Sequence, residues 1–342
     1  MQRLREIDII RCVVIIVLVM YHSFALFTGA WDLPVYLSPN VFYEKLGKLL
    51  YAGMLESFVC ISGYVFAYNK RYKKYELKTL LVSKFKRLYI PCLVWGVVYI
   101  LVMYSFHDFF VLETYYNLIN GIGHLWFLPM LFWCFIFEFI FLKYQDKLKS
   151  PLLFLAVMAI LPYFTFPLRL NNSLYYLFFF NLGVVLFQYR DRFAFYLNKR
   201  FLLILLVGCF ILLYNSGKML VSLPILNLED VTLLWHKALI LFCHHVIRFS
   251  YSILVVFLYF ALGYKLSCKC VGRKYSIIKF IATHSFGIYL SQEIILRVLY
   301  YKMNVFNELN MLCPWMNFII TFFFSLLISF LLSTNRFTKS IC

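Results

Sequence analysis

Residues 7–24 read IDIIRCVVIIVLVMYHSF. The stretch is mostly aliphatic and close to the length, about 20 apolar residues, that carries a helix across a bilayer. It also holds Asp8, Arg11 and His22. Ten residues separate Arg11 from His22, so both side chains fall on one face after almost three helical turns. Asp8, three residues before Arg11, projects close to that face. At a rise of 1.5 Å per residue, His22 lies about 16 Å further along the helix than Arg11. A titratable imidazole in hydrocarbon is costly, which makes it a candidate functional group. The plainer reading is an arginine that snorkels at one rim and a histidine at the other.

The same texture runs through the whole chain. Of 342 residues, 63% are hydrophobic, 39 are Phe and 27 are Tyr, while 14% are charged. A soluble protein would carry about 25% charged residues. Apolar segments over 9–27, 48–67, 88–105, 124–142, 151–167, 174–189, 201–217, 246–264, 281–299 and 314–335 predict an all-α polytopic bundle of about ten transmembrane helices. Residues 1–342 are expected to form a single transmembrane domain. A β-barrel is excluded because the apolar runs lack polar alternation. The first run is too long for a cleavable signal peptide and lacks a small-residue cleavage site. Residues 233–245, with Trp235, His236 and Lys237, suit either an interfacial helix or a long start to the eighth span.

The net charge of +18 is explained by position rather than by nucleic acid. Most Lys and Arg fall in 70–87, 143–149, 190–200, 265–279 and the two ends. The alternate loops hold Asp32, Glu44, Asp108, Glu113, Glu229, Asp230 and Glu308. Cationic loops stay in the cytoplasm, so both termini are expected there. The basic excess also suits anionic lipid or an anionic cytosolic ligand. Lys84 and Arg87, three apart at the start of the third span, can face one anion together, with Pro91 tolerated in the first turn.

Six of the ten cysteines sit within apolar runs, where a thiol packs as a small hydrophobe. Cys268 and Cys270 have neither the spacing nor the compartment for zinc or a disulfide, and no metal site is expected. Other polar groups lie in the spans: Glu56, Ser62, Glu138, Asn181, His244, His245, Arg248, His284, Gln292, Glu293 and Arg297. Glu293 and Arg297, four apart with the acid first, read as a self-neutralising structural pair. His124 and Trp126 open the fourth span at its outer end, where aromatic-belt residues are ordinary.

Several pieces, in order, resemble the acyltransferase-3 family of membrane acyltransferases. IDIIRCVVIIVLVMYH is similar to its first-helix Arg and His with ten residues between. FVCISGYVF (58–66) resembles the SGY end of its second helix. SKFKRLYIP (83–91) resembles the paired basic residues and proline before helix three, with Lys84 in place of the usual Arg. GHLWFLPMLF (123–132) and FGIYLSQ (286–292) resemble its fourth-helix and late motifs. Two positions depart: Gln292 stands where the late motif usually has His, and Glu56 where many relatives have proline. Gln292 cannot act as a base, so its part is confined to hydrogen bonding.

The resemblance implies an O-acetyltransferase that takes acetyl-CoA as co-substrate, binds no permanent cofactor and acetylates a sugar of a surface polysaccharide or its lipid-linked precursor. It also implies a bacterial cytoplasmic membrane. The chain ends at Cys342 after a short basic tail, and the stand-alone subgroup without an appended hydrolase-like domain is expected. On this reading His22 is the general base, Arg11 and Asp8 complete the catalytic group, and Lys84, Arg87 and Arg11 meet the CoA phosphates. Ser62, Tyr289, Gln292, Trp126, His124 and Glu56 are candidates for the acceptor path. A glycan exporter or small-anion transporter without acyl transfer is the alternative, since it too needs polar groups within the membrane.

Overall fold

The opening stretch forms α1 (Arg5–Phe24), and this helix is the axis of the molecule. Ile10, Val14, Ile15, Leu18 and Val19 are all buried, as expected for a helix apolar on every side. The computed structural model describes residues 4–72, 76–105, 111–145, 150–160, 167–197, 199–222, 234–303 and 311–334. Among them the chain is helical, with no strand. Helices α2 (Val41–Tyr51), α3 (Met54–Tyr72), α12 (Leu234–Ser267), α13 (Arg273–Arg297) and α14 (Cys313–Thr334) pack around α1. A second layer is made of α7 (Phe127–Tyr144), α8 (Pro151–Ile160) and α9 (Leu170–Gln188). α10 (Arg190–Leu197) and α11 (Arg200–Val221) lie against α12, α11 presents Phe201, Ile204 and Leu212 outward, and α6 (Leu112–Asn120) is a short helix before α7.

Eight helical stretches among the described residues are long and apolar enough to cross a membrane. The segments expected at 151–167 and 281–299 are not among them. Only 151–160 of the first is described, as α8. The second is α13, 25 residues long, which at 1.5 Å per residue reaches about 37 Å. Lys274, Lys279, Gln292, Glu293 and Arg297 keep its hydropathy low, and it packs between α1 and α14. Residues 234–245 are the first turns of α12, so the awkward stretch is a long start to that span.

With no hydrophobic drive between helices in lipid, close contact depends on small residues. A methyl group added at Gly63 of α3 would overlap the carbonyl oxygen of Phe180 on α9, and one at Gly183 would overlap that of Cys60 on α3. The two helices therefore meet backbone to backbone. Two buried carboxylates find partners across helices. Asn181 Nδ2 donates to Glu138 Oε1 at 2.8 Å, and Tyr175 Oη donates to Glu56 Oε1 at 3.0 Å.

The third span begins as α4 (Leu77–Lys84) and continues as α5 (Ile90–Met103), with a π-helical turn, Phe85–Tyr89, between them. Pro91 has no N–H for the carbonyl of Arg87, and its ring crowds that carbonyl. The helix widens just before it, and Ile90 N–H reaches back five residues to Phe85 O. Arg87 thus sits in the wide turn and Lys84 at its edge.

Candidate functional site

α1 carries two of the expected residues into two different cavities. The first cavity, about 180 Å³, is lined by Arg11, by Lys84 and Arg87 of the widened turn, and by Ser62 and Asn69 of α3. The three cations expected to act together do share one space. Lys84 Nζ rests 3.6 Å from the centre of the Phe135 ring, an electrostatic contact with the ring face. Most of the remaining wall is apolar, including Ile61, Leu131 and Phe286, with Thr283 and Ser285 adding hydroxyls. Asp8, on the same end of α1, accepts a hydrogen bond from Tyr275 Oη at 2.8 Å.

The second cavity, about 270 Å³, lies at the other end of α1 and is lined by His22, Trp31, His124, Trp126, Glu293 and Arg297, among others. His22 Nδ1 is 2.9 Å from Gln292 Oε1. In the tautomer with its hydrogen on Nδ1, that oxygen accepts the bond and Nε2 keeps the basic lone pair. The His22 ring stacks on Trp31 at 5.7 Å and meets His124 edge-on at 6.2 Å. Trp31 in turn takes the Arg297 guanidinium over its ring at 4.5 Å.

His124 reaches this site through a glycine loop. Gly123 has φ +54°, and a Cβ there would fall 2.9 Å from Glu293 Oε1, so both conformation and space require glycine. His124 N–H donates to Glu293 Oε2 at 3.1 Å, and its Nδ1 lies 3.0 Å from the same oxygen, off the line of a hydrogen bond. Arg297 Nε donates to Glu293 Oε1 at 2.8 Å. Tyr289 Oη donates to the His124 carbonyl at 2.6 Å and fixes the loop from α13. His124 is therefore a buried part of the site rather than a belt residue.

Leu18, Leu55, Phe127 and Tyr289 line both cavities. The cationic space and the histidine space thus share one layer of side chains as a common boundary.

Most of the expected residues converge on these two cavities, and Gln292 bonds to His22 behind the second. Asp8 lines neither cavity, and nor does Glu56, which was expected on the acceptor path. It is buried beside Tyr175 and Ser252 and interacts electrostatically with Arg248. Six residues before Ser62 is about one and two-thirds turns, so the two face different ways. Glu293, Arg297 and Trp31 were missed as cavity residues. The signal for the first two was present: Tyr289, Glu293 and Arg297 recur every fourth position on one face of α13. No cluster of His, Cys, Asp or Glu fit for a metal ion occurs among the described residues.

The fold and site define an integral membrane protein with polar, titratable groups gathered inside a helical bundle. Residues 4–334 match the acyltransferase-3 family, described as an acyltransferase domain. The chain belongs to that family and is a membrane acyltransferase. No curated protein and no solved structure matches it.

Proposed function

We propose that this protein moves an acetyl group from acetyl-CoA to a sugar hydroxyl of a surface polysaccharide or its lipid-linked precursor, in a bacterial cytoplasmic membrane. The observation that carries the reading is the pair of cavities joined through one layer of side chains, cationic on one side and histidine-bearing on the other. CoA is a cytosolic polyanion, and cationic loops stay cytosolic. Arg11, Lys84 and Arg87 suit its phosphates through charge-assisted hydrogen bonds. The apolar wall beyond them suits the pantetheine arm. In the second cavity the indole of Trp126 suits the face of a sugar ring.

His22 Nε2 withdraws the proton from the attacking hydroxyl. The hydroxyl oxygen bonds to the thioester carbonyl carbon, the C–S bond breaks, and CoA leaves as a thiolate that takes up a proton. Gln292 holds the His22 tautomer. Glu293, fixed by Arg297 and the His124 backbone, offsets positive charge on the neighbouring imidazole as the proton arrives. Asp8 and Tyr275 hold the start of α1, from which Arg11 projects.

The test is glycan mass from deletion and complemented cells, together with acetyl-CoA binding by the purified protein in detergent. Complementation should restore an acetyl mass on the glycan. The Lys84→Ala, Arg87→Ala double variant should bind acetyl-CoA more weakly, by about 1.5–3 kcal/mol for each charge-assisted bond lost. A glycan without acetyl in complemented cells, or unchanged binding by the double variant, would count against the reading.

A further inference from the structure

Four side chains, Leu18, Leu55, Phe127 and Tyr289, form the neck between the cavities. We propose that this neck selects the length of the transferred acyl group and restricts it to acetyl. The inference rests on the acetyl-CoA reading above and adds to it the residues that set donor specificity.

The thioester sulfur arrives from the cationic cavity, and the attacking hydroxyl arrives from the histidine cavity. The carbonyl carbon that bonds to both therefore sits at the neck. Its third substituent, the acyl tail, has two places to go. One is the neck itself, which the four side chains bound. The other is the histidine cavity of about 270 Å³, which the acceptor sugar must occupy at the same moment. A methyl tail fits beside either. Each further methylene competes with a neck side chain or with the acceptor.

The neck is also poorly able to yield. Leu18 is 1% exposed, Phe127 7% and Leu55 8%. Tyr289 is fixed by its bond to the His124 carbonyl, and its ring stands 5.9 Å from that of Phe127. Close-packed interiors resist added volume, so a longer tail is excluded sterically rather than accommodated. One methylene in such a space is worth about 10–200-fold in discrimination.

The experiment supplies equal acetyl-CoA and butyryl-CoA to native membranes from cells that make the protein, and reads the acetyl and butyryl masses on the extracted glycan. The wild type should transfer acetyl and exclude butyryl. Leu55→Ala should raise the butyryl-to-acetyl ratio by about tenfold or more. Leu55→Val, a milder truncation, should shift it in the same direction by less. Leu212→Ala, exposed on α11 and lining neither cavity, should leave the ratio unchanged. Transfer by Leu55→Ala and Leu55→Val, at normal protein level, with the wild-type ratio would overturn the role of the neck alone. Equal transfer of both groups by the wild type would do the same. Absence of transfer from either thioester by the wild type would overturn the acetyl-CoA reading and the neck with it.

Discussion

The chemistry available to His22 depends on which of its ring nitrogens is left bare. Gln292 Oε1 takes the Nδ1 side at 2.9 Å, so the lone pair on Nε2 is the one that can accept a proton. His22→Gln keeps polarity and similar reach but has no such lone pair, and glycan acetylation should fall by about 10²–10⁴-fold, the usual worth of a general base. Gln292→Ala removes only the orienting bond and should leave measurable activity. Glycan mass at matched protein levels reads both variants. Acetylation by His22→Gln at the wild-type level would mean that the ring only positions its neighbours. Arg11, His22, Lys84 and Arg87 were legible in the sequence because their spacing sets them on shared faces. Glu293 and Arg297 were hidden by a sufficient local explanation, since an acid four residues before a base neutralises itself. Only the fold shows that the same carboxylate also receives the His124 loop. The partners of Glu56, the hydroxyls of Tyr175 and Ser252, come from distant helices and were equally invisible in the sequence.

Two elements position the site, and each depends on one small local feature. α3 and α9 are held at backbone contact by Gly63 and Gly183. Because Gly63 follows Ser62, the SGY motif combines a cavity residue with a packing residue. Gly63→Ala should cost about 1–3 kcal/mol through overpacking, seen as a lower unfolding midpoint in detergent or a lower yield. A midpoint and yield equal to wild type would show that the helices can part without loss. The second feature is the π-helical turn, Phe85–Tyr89. Pro91→Ala restores an N–H for the Arg87 carbonyl and lets the turn relax to α-helix, which drops the extra residue and turns the preceding helix by about 100°. Lys84 would then leave its place beside Arg87. Acetyl-CoA binding by calorimetry should weaken in a protein that remains folded; unchanged affinity would mean that the wide turn does not set the cation pair. A first-turn proline was legible in the sequence. The widening was not, because proline at that position is equally compatible with a regular helix.

At the scale of the whole molecule, charge and cavity run along the same axis. Arg11, Lys84 and Arg87 line the cavity at one end of α1, while His22 and its neighbours line the one at the other end. The all-α membrane class was legible because apolar run length and loop charge are both written locally. The number of spans was less so. α13 owes its low hydropathy partly to the polar groups it brings to the site, Glu293 and Arg297 among them, so a helix that helps build the site gives a weak membrane signal. Cationic loops resist translocation, so the basic ends and the 70–87 loop are expected in the cytoplasm and the loop after α13 outside. Reporter fusions after Arg71 and after Asn307 should then report opposite sides of the membrane. The two positions are joined through α4–α5, α7, the 151–167 segment, α9, α11, α12 and α13, seven crossings if each traverses the bilayer once. An odd number of crossings is what separates them. The same side for both fusions would mean that one of these segments fails to cross; α13 and the 151–167 segment, the two that fall outside the eight apolar spans, would be examined first.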